Sequence, residues 1–273
     1  MFDDKDPTAA PEEVRRRADS DAQERMGVWD RGGSLRGLRI GVPREYFPAE
    51  LSHDVSERVR EVVSGLQARG ATVVPVSLPS TAYALSAYYV LASAEVSSNM
   101  ARYDGVQYGL QVRPPAVGRA RQMYAHTRTA GFGPEVQKRV LLGTYALTAG
   151  AYDNYFLQAQ RVRRLVQADF EAVFVLQDHL HQRGGVQDGV DVVVHASAIG
   201  GAPGLDGSAG LGAYVQDVLT VPASLAGLPA VSVPCGPVGV SVAGQWGSDR
   251  AVVRVAEIVG EVTGGKKPGI SIV

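Results

Sequence analysis

Apolar and polar positions recur along this chain with two periods, and the switches between them mark its elements. Leu38-Arg39-Ile40-Gly41-Val42-Pro43 reads as a short strand. From about Asp54 to Arg69, Val55, Val59, Val62 and Leu66 fall on one stripe, the pattern of an amphipathic helix that Gly70 ends. Thr72-Val73-Val74-Pro75-Val76 resumes as a strand, so residues 38 to 78 predict a βαβ unit with a parallel strand pair. Pro75 has no N–H to give a ladder, which puts this second strand at the margin of a sheet.

A helical region follows. Ser80-Thr81 opens a helix running through Tyr83, Leu85, Tyr88, Leu91 and Ala92 to about Ala101. Residues 112 to 133, with Pro114, Pro115, Gly118, Gly131 and Gly133, read mainly as loop. Pro134 begins a helix through Val136, Val140, Leu141 and Tyr145 to Ala149-Gly150, and another follows through Tyr155, Val162, Leu165, Val166, Phe170 and Val173. Residues 176 to 190 and the run from Gly200 to Gly212 are polar or glycine-rich and predict surface loops, with Asp191-Val192-Val193-Val194 a buried strand between them.

The stretch from Leu219 to Gly236 predicts a helix of small residues, a stop and a buried strand. Gly227 suits the left-handed residue that ends a helix, Pro229 prevents continuation, and Val231 and Val233 lie in the strand. A strand at Val238 to Val242 and a helix around Arg250 to Val262, with Val252, Val255 and Val259 on one face, complete the pattern. Residues 1 to about 36 are charged, poor in aliphatics and broken by Pro7, Pro11, Gly32 and Gly33. They read as a linker or N-terminal arm, with a short helix after Pro11 and little contribution to a core.

Composition narrows the class. With 273 residues, 45% apolar and 20% charged, the chain is an ordinary globular protein of one large domain or two small ones. A formal charge of -1 gives no electrostatic footprint for binding nucleic acid unaided, so any RNA would be reached through another protein. The one cysteine, Cys235, excludes an intramolecular disulfide and fits a reducing compartment. No apolar run approaches the roughly 20 residues that span a bilayer, and the acidic Met1-Phe2-Asp3-Asp4-Lys5-Asp6 is unlike a signal or transit peptide.

Candidate chemistry is sparse. Asp178-His179-Leu180-His181 gathers one carboxylate and two imidazoles, but in a glycine-flanked loop with no further ligand cluster it reads as solvated loop rather than a metal site. Cys235 closes an apolar strand and reads as a core residue, and no base is visible for Ser197 or Ser224. No Gly-x-Ser-x-Gly elbow, His-Glu-x-x-His helix or phosphate-binding glycine loop occurs. Arg139, among apolar neighbours at helical spacing, has two readings: a guanidinium at a helix edge, or a clamp for a carboxylate. Tyr88 and Asp217 say little alone.

Several separated stretches point one way. Leu35 to Phe47, Ala94-Glu95-Val96-Ser97-Ser98-Asn99-Met100-Ala101-Arg102-Tyr103-Asp104-Gly105, Pro134 to Leu147, Ala151-Tyr152-Asp153-Asn154-Tyr155-Phe156 and Leu219 to Gly236 resemble, in order, the A subunits of glutamyl-tRNA(Gln) amidotransferases, which are amidase signature enzymes. The resemblance covers roughly residues 3 to 262 and implies an α/β fold with a mixed central β-sheet covered by helices, incomplete here. Residues 37 to 273 would be the C-terminal portion of an amidase signature domain. It implies a glutaminase that releases ammonia from glutamine for a B subunit, which uses ATP and magnesium to turn Glu-tRNA(Gln) into Gln-tRNA(Gln), while a C subunit holds the two together. No cofactor is implied for this chain, tRNA would be met only through the B subunit, and no membrane is involved. The compartment would be the cytoplasm in a bacterium and the mitochondrial matrix in a eukaryote.

The resemblance also implies site residues. The family's nucleophilic Ser, bridging Ser and base Lys belong to a signature segment that is absent from these residues, so no catalytic residue is assigned and none for a metal. Tyr88 matches a tyrosine lining the glutamine pocket, Arg139 the arginine holding the substrate's α-carboxylate, and Asp217 the carboxylate receiving its α-amino group. The helix after Asp217 would carry that carboxylate into the pocket. His195-Ala196-Ser197-Ala198 departs from the family's Thr-Pro-Thr-Ala-Pro-like turn, and Gly236-Pro237 from its longer link between the last two strands. Two other readings stay open: a non-catalytic scaffold or interaction remnant, and an amidase signature enzyme acting on another amide, against which the zwitterion clamp of Arg139 and Asp217 argues.

Overall fold

In the computed structural model, residues 3, 5–6, 8–30, 32–112, 123–202, 215–236 and 238–264 are described. The chain divides into two compact units, residues 1–85 with 164–273, and residues 86–163.

The first unit is built on a five-stranded sheet. Strand β1 (Arg39–Pro43) pairs in parallel with β2 (Thr72–Val76), and helix α2 (His53–Ala68) joins them, giving the βαβ unit expected from the sequence. Ser52 caps α2 by accepting the Val55 N–H, and its buried side is the predicted Val55, Val59, Val62, Leu66 stripe. β1 also pairs in parallel with β5 (Val192–Ala196), which is buried along its whole length. β7 (Val238–Gly244) then runs antiparallel to β5, and β6 (Ala230–Cys235) antiparallel to β7. The order is β2-β1-β5-β7-β6, a mixed sheet with β2 and its Pro75 at one edge. Cys235 pairs with Val238, so β6 and β7 are joined by a two-residue link in which Gly236 takes the left-handed φ of 74°.

Three expectations are corrected. The strand from Ala230 to Cys235 is not buried on both faces: it is the other edge of the sheet, where Ala230, Ser232 and Pro234 are exposed and Val233 and Cys235 are buried. An apolar run of that length reads the same at an edge as in a centre. Residues 1 to 36 do supply core. Helix α1 (Glu12–Trp29) buries Ala18, Ala22 and Trp29, and Leu35 beyond it is 1% exposed. Its inward face carries two alanines and Trp29 but no aliphatic stripe, and ion pairs tie it down. Arg25 grips the buried Asp191 carboxylate through Nε and Nη2 at 2.6 and 3.1 Å, the Arg39 N–H donates to the same carboxylate, and Arg254 holds Asp30 in the same two-pronged way. Finally, part of the segment from 112 to 133 is helical, as α4 (Met123–Gly131); residues 113–122 lie outside the described residues. Thr127 in α4 is buried and its hydroxyl accepts the Val112 N–H.

Beyond β2, helix α3 (Thr81–Asn99) runs into the second unit, which also holds α4 and α5 (Pro134–Ala146), and α6 (Phe156–Glu171) returns to the first unit. Pro134 is in the first turn of α5, as expected. Between α6 and β5 the polar segment forms a small hairpin of β3 (Gln177–Asp178) and β4 (Arg183–Gly184). Near the end come α7 (Val221–Ala226), stopped by Gly227 at φ 80°, and α8 (Asp249–Val262), whose Val252, Val255 and Val259 are buried. α8 lies against β6, β7, α1 and α2.

Candidate functional site

The second unit brings two of the predicted site residues together. α3 and α5 touch closely: a Cβ built on Gly143 would stand 1.9 Å from the Ser93 carbonyl oxygen, and Ser93, Ala94 and Ala146 are buried. One helical turn before that contact on each helix stand Tyr89 and Arg139. The Arg139 guanidinium carbon lies 5.4 Å from the centroid of the Tyr89 ring, and the Tyr88 and Tyr89 rings meet edge to face at 5.3 Å. Arg139 Nε donates to Glu135 Oε1 at 3.1 Å, and the Tyr88 hydroxyl is a further hydrogen-bond partner of the guanidinium. Partial burial disfavours the cation, but these partners more than offset it and hold the Arg139 pKa above its ordinary value.

This arrangement fits recognition of a carboxylate. The guanidinium is always charged and planar, and two tyrosines orient it. Glu135 and Tyr89 were not singled out from the sequence. The spacing of Glu135 and Arg139 at i,i+4 was the available signal for the first; Tyr89 could be read only as the neighbour of Tyr88.

Asp217 belongs to the first unit. It is exposed, in the turn before α7 and not on the helix itself, and its carbonyl accepts the N–H groups of Thr220 and Val221 as the helix begins. The structure therefore pairs Tyr88 with Arg139 inside one unit and sets Asp217 in the other.

The remaining chemistry-bearing residues are engaged structurally. Asp178 Oδ1 accepts the backbone N–H groups of Leu180 and His181, and its other oxygen lies 2.7 Å from His181 Nδ1. His179 turns instead to Asp21 of α1, so the two imidazoles serve different carboxylates. Among the described residues no group of three His, Cys, Asp or Glu side chains is placed to hold a metal ion, and no helix is long and apolar enough to cross a membrane. Cys235 is buried, which pushes its thiol pKa up. Ser197 Oγ, just past the end of β5, lies 2.6 Å from Ser232 Oγ in β6 and 2.8 Å from Ser241 Oγ in β7. Residues 195 and 196 continue β5 rather than turning, and His195 is buried with Nδ1 2.7 Å from the Ala196 carbonyl oxygen and the Tyr46 ring edge-on at 4.7 Å.

Known proteins place this geometry in context. The mitochondrial glutamyl-tRNA(Gln) amidotransferase A subunit of Mycosarcoma maydis is 49% identical over 93% of this chain and 50% of its own length. That of Coccidioides posadasii is 46% identical over 93% of this chain and 54% of its own. Among solved structures, the glutamyl-tRNA(Gln) amidotransferase A subunit of Thermotoga maritima is similar with a TM-score of 0.57 and 31% identity, covering 84% of this chain and 43% of that one. A 6-aminohexanoate cyclic dimer hydrolase, 16% identical with a TM-score of 0.61, shares the fold over 98% of this chain and 52% of its own. The chain thus spans about half the length of the curated relatives it matches. The family model described as Amidase matches residues 7–253, and the chain belongs to the amidase signature family.

Proposed function

We propose that this chain forms the substrate-holding part of the glutaminase subunit of a glutamyl-tRNA(Gln) amidotransferase, with nucleophile and base supplied by polypeptide outside residues 1–273. The observation that carries the reading is that Tyr88 and Tyr89 converge on the Arg139 guanidinium, Tyr88 and Arg139 being the positions that the resemblance assigns to the glutamine pocket. Glutamine would place its α-carboxylate on Arg139, leaving the side-chain amide for the nucleophile. Glu135 competes for the same cation, but its exposed i,i+4 pair is worth only about 0.3–0.5 kcal/mol. Displacing Glu135 therefore costs a ligand carboxylate little.

In this reading B and C subunits are the partners, ATP and magnesium act at the B subunit, and the relatives named mitochondrial favour the mitochondrial matrix. The test is an assembly of this chain, B and C subunits and a polypeptide equivalent to the relatives' remaining half. Arg139→Lys is expected to raise KM for glutamine at least tenfold with kcat nearly unchanged, since the ammonium keeps the charge but loses the fork. An unchanged KM would remove Arg139 from the pocket. One observation favours the second reading, a non-catalytic scaffold: Arg139 already has a carboxylate on its own helix. Glutamine hydrolysis by the full assembly would exclude it.

A further inference from the structure

The formal charge of -1 conceals a segregation. Residues 86–163 carry nine Lys and Arg against four Asp and Glu, a formal +5, while the other unit carries 18 against 24, a formal -6. The basic unit is also the tyrosine-rich one, with eight of the chain's 11 tyrosines. Several of them stand in the open: Tyr103, Tyr108 and Tyr124 are 50%, 47% and 37% exposed.

Two arginines stand beside these rings, and the one carboxylate next to them in the chain, Asp104, accepts the Val106 N–H. Arg102 Nε donates to the Tyr108 hydroxyl at 2.7 Å with its guanidinium carbon 5.9 Å from the ring centroid. Arg128 is anchored by the carbonyls of Ala101 and Tyr103, and its guanidinium carbon is 5.7 Å from the Tyr124 ring centroid. Tyr103 meets Tyr108 and Phe132 edge to face, so its position is set by packing while half of its surface stays in solvent. Rings held this way, next to oriented guanidinium groups, offer stacking surfaces for unpaired bases and cations for phosphates.

We propose that this Arg–Tyr surface of the second unit, around Arg102, Tyr103, Tyr108, Tyr124 and Arg128, binds single-stranded RNA directly. This replaces the expectation from net charge that RNA is met only through another protein, and it does not depend on the glutaminase reading. An acidic peptide would be attracted by the same charge but has no use for three exposed rings; unpaired bases use both.

The test is fluorescence anisotropy of a labelled 12-nucleotide single-stranded RNA with the full chain. Saturable binding is expected, with log affinity falling against log salt by about 0.7 for each phosphate neutralised. Tyr103→Leu and Tyr108→Leu should each weaken binding by about tenfold, as loss of a stacking platform does, with circular dichroism confirming the fold. Arg58→Glu on α2 of the other unit should leave affinity unchanged. Crosslinking with 4-thiouridine RNA locates the contact without any substitution, and the adducts should fall within residues 86–163. Four results would overturn the proposal: no binding at low salt, equal binding of duplex RNA, polyglutamate or anionic vesicles, crosslinks confined to the other unit, or full affinity in both folded tyrosine variants.

Discussion

Replacing Gly143 by alanine tests whether the contact of α3 with α5 sets the candidate site. In an exposed helix interior the change would gain about 1 kcal/mol of helix propensity. Here the new Cβ would lie 1.9 Å from the Ser93 carbonyl oxygen, 2.4 Å from its carbon and 2.8 Å from the Ala94 nitrogen. All three are backbone atoms, so no side-chain rotation relieves the clash; α3 and α5 must move apart by ~1 Å or more, in a setting where overpacking costs about 1–3 kcal/mol. Set against the propensity gain of about 1 kcal/mol, this leaves an expected net loss of about 1 kcal/mol. Urea denaturation followed by circular dichroism measures it, and hydrogen exchange should localise the loss to the amides of α3 and α5. Gly27→Ala in α1 is the control: nothing lies within 4 Å of its Cβ, and a gain of up to about 1 kcal/mol is expected from propensity. If Gly143→Ala is as stable as the parent, with unchanged exchange in α3 and α5, the close contact is wrong and so is the reason given for Tyr89 and Arg139 meeting.

Further predictions concern the first unit and the surroundings of Arg139. Arg25→Met should cost about 3 kcal/mol in a denaturant titration, because among the described residues it leaves the buried Asp191 carboxylate with only the Arg39 N–H. His195 has its pKa pushed down to about 4 by burial, against an ordinary value near 6.5. Between pH 6.5 and 4 the unfolded state therefore binds a proton that the folded state does not. Stability should fall as pH drops through that window by about 1.4 kcal/mol per unit, and the slope should shrink in His195→Gln. Glu135→Gln removes the internal competitor for Arg139 and should leave KM for glutamine unchanged or lowered in the assembly; a tenfold rise would mean that Glu135 orients the guanidinium rather than competing for it.

How much of this was legible in the sequence depended on what each element buries. α2 and α8 stand out because Val55, Val59, Val62, Leu66 and Val252, Val255, Val259 lie in aliphatic stripes, and the βαβ unit followed from α2 and its two flanking strands. α1 does not, because alanines and ion pairs to Asp191 and residues of α8 replace the stripe. β6 reads as a core strand although it is an edge, since its neighbours are chosen by tertiary pairing and not by its own residues. Of the candidate site, Arg139 is visible as a cation among apolar residues, and the residues alone leave both of its readings open. The contact of Gly143 with Ser93 joins residues 50 positions apart and leaves no periodic trace. The charge split between the units was present in the composition and was averaged away by counting the whole chain at once.

The central claim is that these residues hold glutamine and do not cleave it. Its most direct test is glutamine hydrolysis by this chain combined with B and C subunits, measured with and without a polypeptide equivalent to the relatives' remaining half. Ammonia release only when that polypeptide is present is the predicted result; ammonia release by this chain with B and C alone would contradict it.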